Sequence, residues 1–213
     1  MGEQRVRVKF CGIRLLQDAQ LAVDLGVDAL GFIFYPPSPR AISITAAREL
    51  IAQLPPLVTK VGVFVNEAVA EIEFTARMVG LDLVQLSGDE TPEMMAELSI
   101  PFIKAYRDLP AAGILQQWSD HPQFKGFLAD GKAVQSNEAN HYGGSGHLAE
   151  TQLIEGLARE GRLMIAGGLT AETVAGVISA HHPFGVDVSS GIESAPGVKD
   201  EKKMREFILA VGG

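Results

Sequence analysis

A chain of 213 residues with 46% hydrophobic content can bury one sizeable core but would make two meagre ones, so a single domain over 1–213 is expected. The formal charge of −8, with no Lys/Arg cluster, argues against a nucleic-acid partner. No run approaches the roughly 18 apolar residues of a membrane span, which points away from the membrane and to a cytoplasmic location.

β-Branched runs of about six residues alternate with amphipathic stretches of about 12 from one end of the chain to the other. VRVKFC ends at Cys11 and precedes a helix over 15–25, and ALGFIF ends at Phe34 before a helix over 45–53. KVGVFV, ending at Val65, leads to a helix over 67–79, and LVQLS, ending at Ser87, to one over 92–98. PFIKAY ends at Tyr106 before the least regular helix, 110–119, and GFLAD ends at Asp130. The stretch 131–146 is irregular, as befits a lid, a binding loop or a disordered segment, and a helix over 148–160 follows it. LMIAGG, ending at Gly168, is followed by a helix over 171–180; GVDVSS, ending at Ser190, is followed by a closing helix over 199–210.

Strands that alternate with helices pair in parallel, and eight units predict a closed (β/α)8, or TIM, barrel rather than an open doubly wound sheet. No GxGxxG follows the first strand to suggest a dinucleotide site. Side chains at the C-terminal ends of barrel strands line the active site, so those ends carry the candidates. Period-two alternation turns Val6, Val8 and Phe10 toward the helices and Arg7, Lys9 and Cys11 toward the interior. A lone cysteine is otherwise a small buried hydrophobe; inward parity at a catalytic end makes Cys11 a candidate base or nucleophile, provided positive potential favours its thiolate. The same parity turns Lys104 inward, and Lys9 is offered Asp187 as a partner; a purely structural role for both lysines stays open. Asp130, at the rim of an apolar run, is either an exposed loop aspartate or a carboxyl whose pKa is raised to suit a general acid.

Three glycine-rich segments could surround a phosphate with backbone N–H groups: Gly143, Gly144, Ser145 and Gly146; Gly167 and Gly168; and Ser189, Ser190 and Gly191. Two of them follow the seventh and eighth strands, where such barrels hold phosphate. Arg40, in YPPSPR, is either a surface arginine or a guanidinium held toward a carboxylate by a proline-stiffened loop. His121, His141, His147, His181 and His182 show no metal-ligand spacing, so no metal is expected.

VKFCGI, GFIFYPPSPR, VGVFVN, VQLSGDE, FLADGK, YGGSG, AGGL and GVDVSSGIESAPGVKD follow one another in an order that resembles the phosphoribosylanthranilate isomerase family over nearly the whole chain. The resemblance implies an Amadori rearrangement of N-(5-phosphoribosyl)anthranilate without a cofactor. It also implies Asp130 as general acid, Cys11 as general base, Arg40 on the substrate carboxylate and Asp187 near the reacting sugar, orienting a hydroxyl or Lys9. The three glycine-rich segments would gather the phosphate. Two departures stand out: Ser87, where the family usually has histidine, and His147-Leu148-Ala149-Glu150, where it usually continues to Phe-Asp-Trp. The alternatives are another sugar-phosphate barrel enzyme, such as indole-glycerol-phosphate synthase, or a non-catalytic phosphate-binding barrel. The expected partner is a small phosphorylated molecule, and the pattern is compatible with a monomer or a homodimer.

Overall fold

Parallel strands have no edge to protect when the last pairs with the first, and this chain reaches that arrangement. The computed structural model describes residues 5–131, 149–159 and 161–212. Eight strands, β1 (Arg7–Cys11), β2 (Ala29–Ile33), β3 (Thr59–Phe64), β4 (Leu83–Leu86), β5 (Phe102–Tyr106), β6 (Phe124–Ala129), β7 (Leu163–Ile165) and β8 (Gly185–Val188), form a closed barrel in chain order. The seam is β1 on β8, where Lys9 lies opposite Asp187. Among the described residues seven helices follow the alternation: α1 (Leu16–Asp24), α2 (Ile44–Ile51), α3 (Val69–Val79), α4 (Ile114–Ser119), α5 (Thr151–Ala158), α6 (Ala171–His181) and α7 (Glu201–Gly212).

The apolar core lies mainly between strands and helices. Val8, Phe10, Leu30 and Val186 from the strands pack with Ala19, Ala22, Leu50 and Phe207 from the helices, and the Phe10 and Phe207 rings meet edge to face at 6.0 Å. Across the molecule, Phe64, Val84, Phe102 and Phe127 pack with Ile72, Trp118, Leu153 and Leu157. A separate small cluster of Ile103, Ala105, Leu128 and Ala166 gives the β5–β7 side of the barrel an apolar inner wall. Lys9 and Asp187 make the β1–β8 side charged.

Three features differ from expectation. Residues 92–98 make turns and no α-helix: Pro92 opens the segment, and most of its bonds reach back three residues, as from Leu98 N to Met95 O, with Met95 and Leu98 as its buried anchors. Lys104 points away from the interior. It shares parity with Phe102 and Tyr106, which meet Trp118 from the outside, while Ile103 and Ala105 face inward. Both faces of β5 are apolar, so alternation alone does not tell one from the other. Finally, a 3₁₀ turn (Ser190–Ile192) and a hairpin of β9 (Glu193–Ala195) and β10 (Val198–Lys199) are inserted between β8 and α7.

Lys104 finds its carboxylate outside the barrel. Its ammonium donates to Glu90 Oε2 and to the Gly88 carbonyl, each at 2.7 Å, and Glu90 also accepts from the backbone N–H groups of Asn66 and Gly88. The pair pins the loops after β3 and β4 to each other. Removing one partner of such a buried pair strands the other charge, so Lys104→Met is expected to lower the unfolding free energy by about 3–5 kcal/mol. Lys104→Met/Glu90→Gln should lose distinctly less in the same urea titrations; equal losses would mean that Glu90 needs no cation.

Candidate active site

The C-terminal ends of the strands open into a pocket of about 740 Å³, counting its mouth. Cys11 lies at the end of β1 and faces it. Gly31 on β2 makes the room: a Cβ there would stand 2.8 Å from Cys11 Sγ and 3.1 Å from Lys9 Nζ. Lys9 itself is sealed beneath the pocket, 2.9 Å from Asp187 Oδ1, while Asp187 reaches the lining. Burial pulls the Lys9 pKa down, but Asp187 and Cys11 more than offset it, so the ammonium stays charged.

The thiol's pKa is raised, so the condition set on it as a thiolate base is not supplied by the field around it. Burial pushes the Cys11 pKa up; Lys9 and Lys199 pull it down, and Asp187 pushes it further up. The field of Lys9 is largely spoken for by Asp187, which leaves desolvation dominant.

Asp130, following β6, lines the same pocket. Burial raises its pKa to about 6, against the pull of Arg107 and with a further push from Asp187. That value lets the carboxyl hold a proton near neutrality, as a general acid must. Arg107 Nε is 3.9 Å from Asp130 Oδ2, and its Nη2 donates to the Ser87 carbonyl at 3.3 Å. Sequence reasoning passes over Arg107, because it lies one residue past the expected end of its strand; its inward parity with Ile103 and Ala105 is the signal that marks it. Ser87 also lines the pocket and accepts a 3.0 Å bond from Gln85 Nε2.

Arg40 is buried and not a surface arginine, and it too lines the pocket. Its guanidinium is forked by Glu193, from Nε at 2.9 Å and from Nη2 at 2.7 Å. Glu193 in turn meets Lys199 at 2.8 Å. These two residues were visible only as part of the ESAPGVKD motif, whose spacing gives no hint that they reach Arg40. Ile33, Tyr35, Val63, Val65 and Leu128 supply an apolar wall suited to an aromatic ring.

Of the glycine-rich segments, Gly167 and Gly168 lie on the lining with φ of 81° and 58°, a left-handed pair that bends the chain just before α6. Ser189 and Ser190 line the pocket opposite them, and Ser189 Oγ donates to the Cys11 carbonyl at 3.1 Å. Gly191 sits within the 3₁₀ turn and is not part of the lining. Gly143, Gly144, Ser145 and Gly146 lie outside the described residues, as do His147 and Leu148. Among the described residues no group of three or more His, Cys, Asp or Glu is placed to hold a metal ion, and no helix is long and apolar enough to cross a membrane.

The model of the family described as N-(5'phosphoribosyl)anthranilate (PRA) isomerase matches residues 8–210. The N-(5'-phosphoribosyl)anthranilate isomerase of Pelobacter propionicus is 44% identical over 203 residues, covering 95% of this chain and 94% of its own. The crystal structure of phosphoribosyl anthranilate isomerase from Thermus thermophilus superposes with a TM-score of 0.83 at 35% identity, covering 97% of this chain and 98% of that one. A phosphoribosyl anthranilate isomerase in complex with reduced 1-(o-carboxyphenylamino)-1-deoxyribulose 5-phosphate superposes at 0.80 and 37% identity, covering 98% and 99%.

The raised pKa of Asp130 has a measurable effect on stability. The folded protein takes up a proton at about pH 6 that the unfolded chain takes up only near pH 4, so the contribution is fully present below about pH 4 and is lost as pH rises through 6. Ionised Asp130 then costs up to about 2–3 kcal/mol at pH 8. Asp130→Asn is expected to raise the urea midpoint at pH 8 and to lose that advantage by pH 4; a gain independent of pH would show that charge is not its cause.

Proposed function

Since the chain belongs to the N-(5'-phosphoribosyl)anthranilate isomerase family and is an isomerase of tryptophan biosynthesis, we propose that Cys11 and Asp130 carry its two proton transfers. The same matches displace the indole-glycerol-phosphate synthase alternative. The observation that carries the proposal is that a thiol and a carboxyl held near pKa 6 face one pocket from β1 and from the loop after β6.

Asp130 gives its proton to the furanose ring oxygen of phosphoribosylanthranilate as the C1′–O bond breaks, leaving a protonated Schiff base between C1′ and the anthranilate nitrogen. The Cys11 thiolate takes the proton from C2′, and those electrons form the C1′–C2′ double bond of an enolamine. Tautomerisation moves the hydroxyl proton of C2′ to C1′ and yields the ketone. The apolar wall seats the aromatic ring, Arg40 holds its carboxylate, and Asp187 orients a sugar hydroxyl while fixing Lys9. Gly167, Gly168, Ser189 and Ser190 gather the phosphate with backbone N–H and hydroxyl donors. The bound ligand of the solved relative, with a carboxyphenyl group at one end and a phosphate at the other, supports this polarity of the pocket.

Fluorescence-monitored consumption of freshly generated phosphoribosylanthranilate tests the pair. Turnover should collapse in Cys11→Ala and in Asp130→Ala, and fall ~10²-fold or more in Cys11→Ser with little change in stability, because a hydroxyl is a far weaker base than a thiolate. Full activity of either alanine variant would remove that residue from the mechanism.

The two pKa values also dictate the pH profile. The reactive form needs Asp130 protonated and Cys11 ionised, yet the thiol titrates above the carboxyl. That form carries the same number of protons as the dominant neutral-pH form, so kcat/KM should be flat from about pH 6 up to the raised thiol value. It should fall below pH 6, where the thiol can no longer ionise without a second proton loss, and fall again once both groups are deprotonated. Residual activity of Asp130→Asn should lack the limb near pH 6, which separates it from titration of the substrate phosphate. A wild-type profile that climbs steadily from pH 6 to 9 would mean that no protonated Asp130 is required.

A further inference from the structure

Beside the pocket lies a buried charge cluster to which the reaction assigns no task. The β9–β10 hairpin sets Lys199 opposite Glu193, and both are almost sealed from solvent. Glu193 forks the Arg40 guanidinium: Nε donates to Oε1 at 2.9 Å and to Oε2 at 3.1 Å, and Nη2 donates to Oε2 at 2.7 Å. Lys199 Nζ donates to Glu193 Oε1 at 2.8 Å, to the main-chain carbonyl of Cys11 at 2.6 Å and to that of Ser189 at 3.2 Å. An ammonium has three donors, and all three of these point at protein, so Lys199 has none to offer a ligand.

Arg40 is left in a defined pose. With Nε and Nη2 engaged, no partner among the described residues engages Nη1, and the residue lines the pocket. A guanidinium on a flexible stem has many orientations, whereas one forked by a buried carboxylate has its plane fixed. The lysine then ties that carboxylate to two main-chain oxygens, one belonging to the base and one to the serine loop. We propose that Glu193 and Lys199 are positioning residues, a buried yoke that fixes Arg40 relative to Cys11 and Ser189 and so sets the span between the carboxylate end and the phosphate end of the site. This rests on the reading of Arg40 as the group that holds the anthranilate carboxylate.

The test compares wild type with Glu193→Gln, Glu193→Gln/Lys199→Met and Arg40→Met, measuring the binding of anthranilate and of inorganic phosphate separately, together with kcat and KM. The double variant removes one charge of each sign, which protects the fold from a stranded lysine. Both Glu193 variants should weaken anthranilate about tenfold and raise KM to match, with phosphate binding changed less than about threefold; kcat should be little altered in Glu193→Gln, which keeps Lys199 on the Cys11 and Ser189 carbonyls. Unchanged anthranilate binding and KM in both, while Arg40→Met weakens them, overturns the yoke and leaves the role of Arg40 intact. Equal weakening of both probes marks a general loosening of the site and also overturns it. If Arg40→Met leaves anthranilate binding untouched, the carboxylate reading fails and the yoke fails with it.

Discussion

The pairing of β1 with β8 is the constraint on which the site depends. It closes the barrel and sets Lys9 opposite Asp187, residues 178 positions apart, so that their ion pair forms only when the whole ring is assembled. Two charges inside a small barrel are expensive apart and tolerable together. Their contact therefore joins completion of the fold to preparation of the pocket floor, and Cys11, two residues along from Lys9, inherits its position from that seam.

The interior that results is lopsided. One side is built of Lys9, Asp187 and the strand end carrying Cys11; the other is built of Ile103, Ala105, Leu128 and Ala166. Asp130 stands at the boundary, raised in pKa by burial and moderated by Arg107. An acid placed there keeps its proton toward neutral pH because its ionised form is poorly solvated, and the same poor solvation weakens the fold at neutral pH. Catalytic readiness and stability draw on one source, the low polarity of that wall.

Much of this was legible in the sequence. The eight strand ends stand out because β-branched runs punctuated by glycine and polar residues recur at regular spacing, and the inward parity of Lys9 and Cys11 follows from VRVKFC alone. What was not legible depended on contacts far along the chain. Lys104 was misplaced because β5 is apolar on both faces, and Arg107 was passed over because it follows the strand instead of ending it. The residues 92–98 carry an amphipathic pattern that Pro92 and their short length turn into loops. The titration of Cys11 turns first on its burial and then on how far Lys9 and Asp187 offset each other, which no local pattern contains. Glu193 meets Arg40 across 153 residues, so nothing local to ESAPGVKD shows that it supports Arg40.

Lys199 holds position 11 by its main-chain oxygen and not by its side chain. That tether itself does not depend on which side chain position 11 carries. A thiol there could be exchanged for a carboxylate, an amine or a hydroxyl while the strand end keeps its tether. A tether of this kind separates the backbone geometry of the strand end from the reactivity of the side chain it carries.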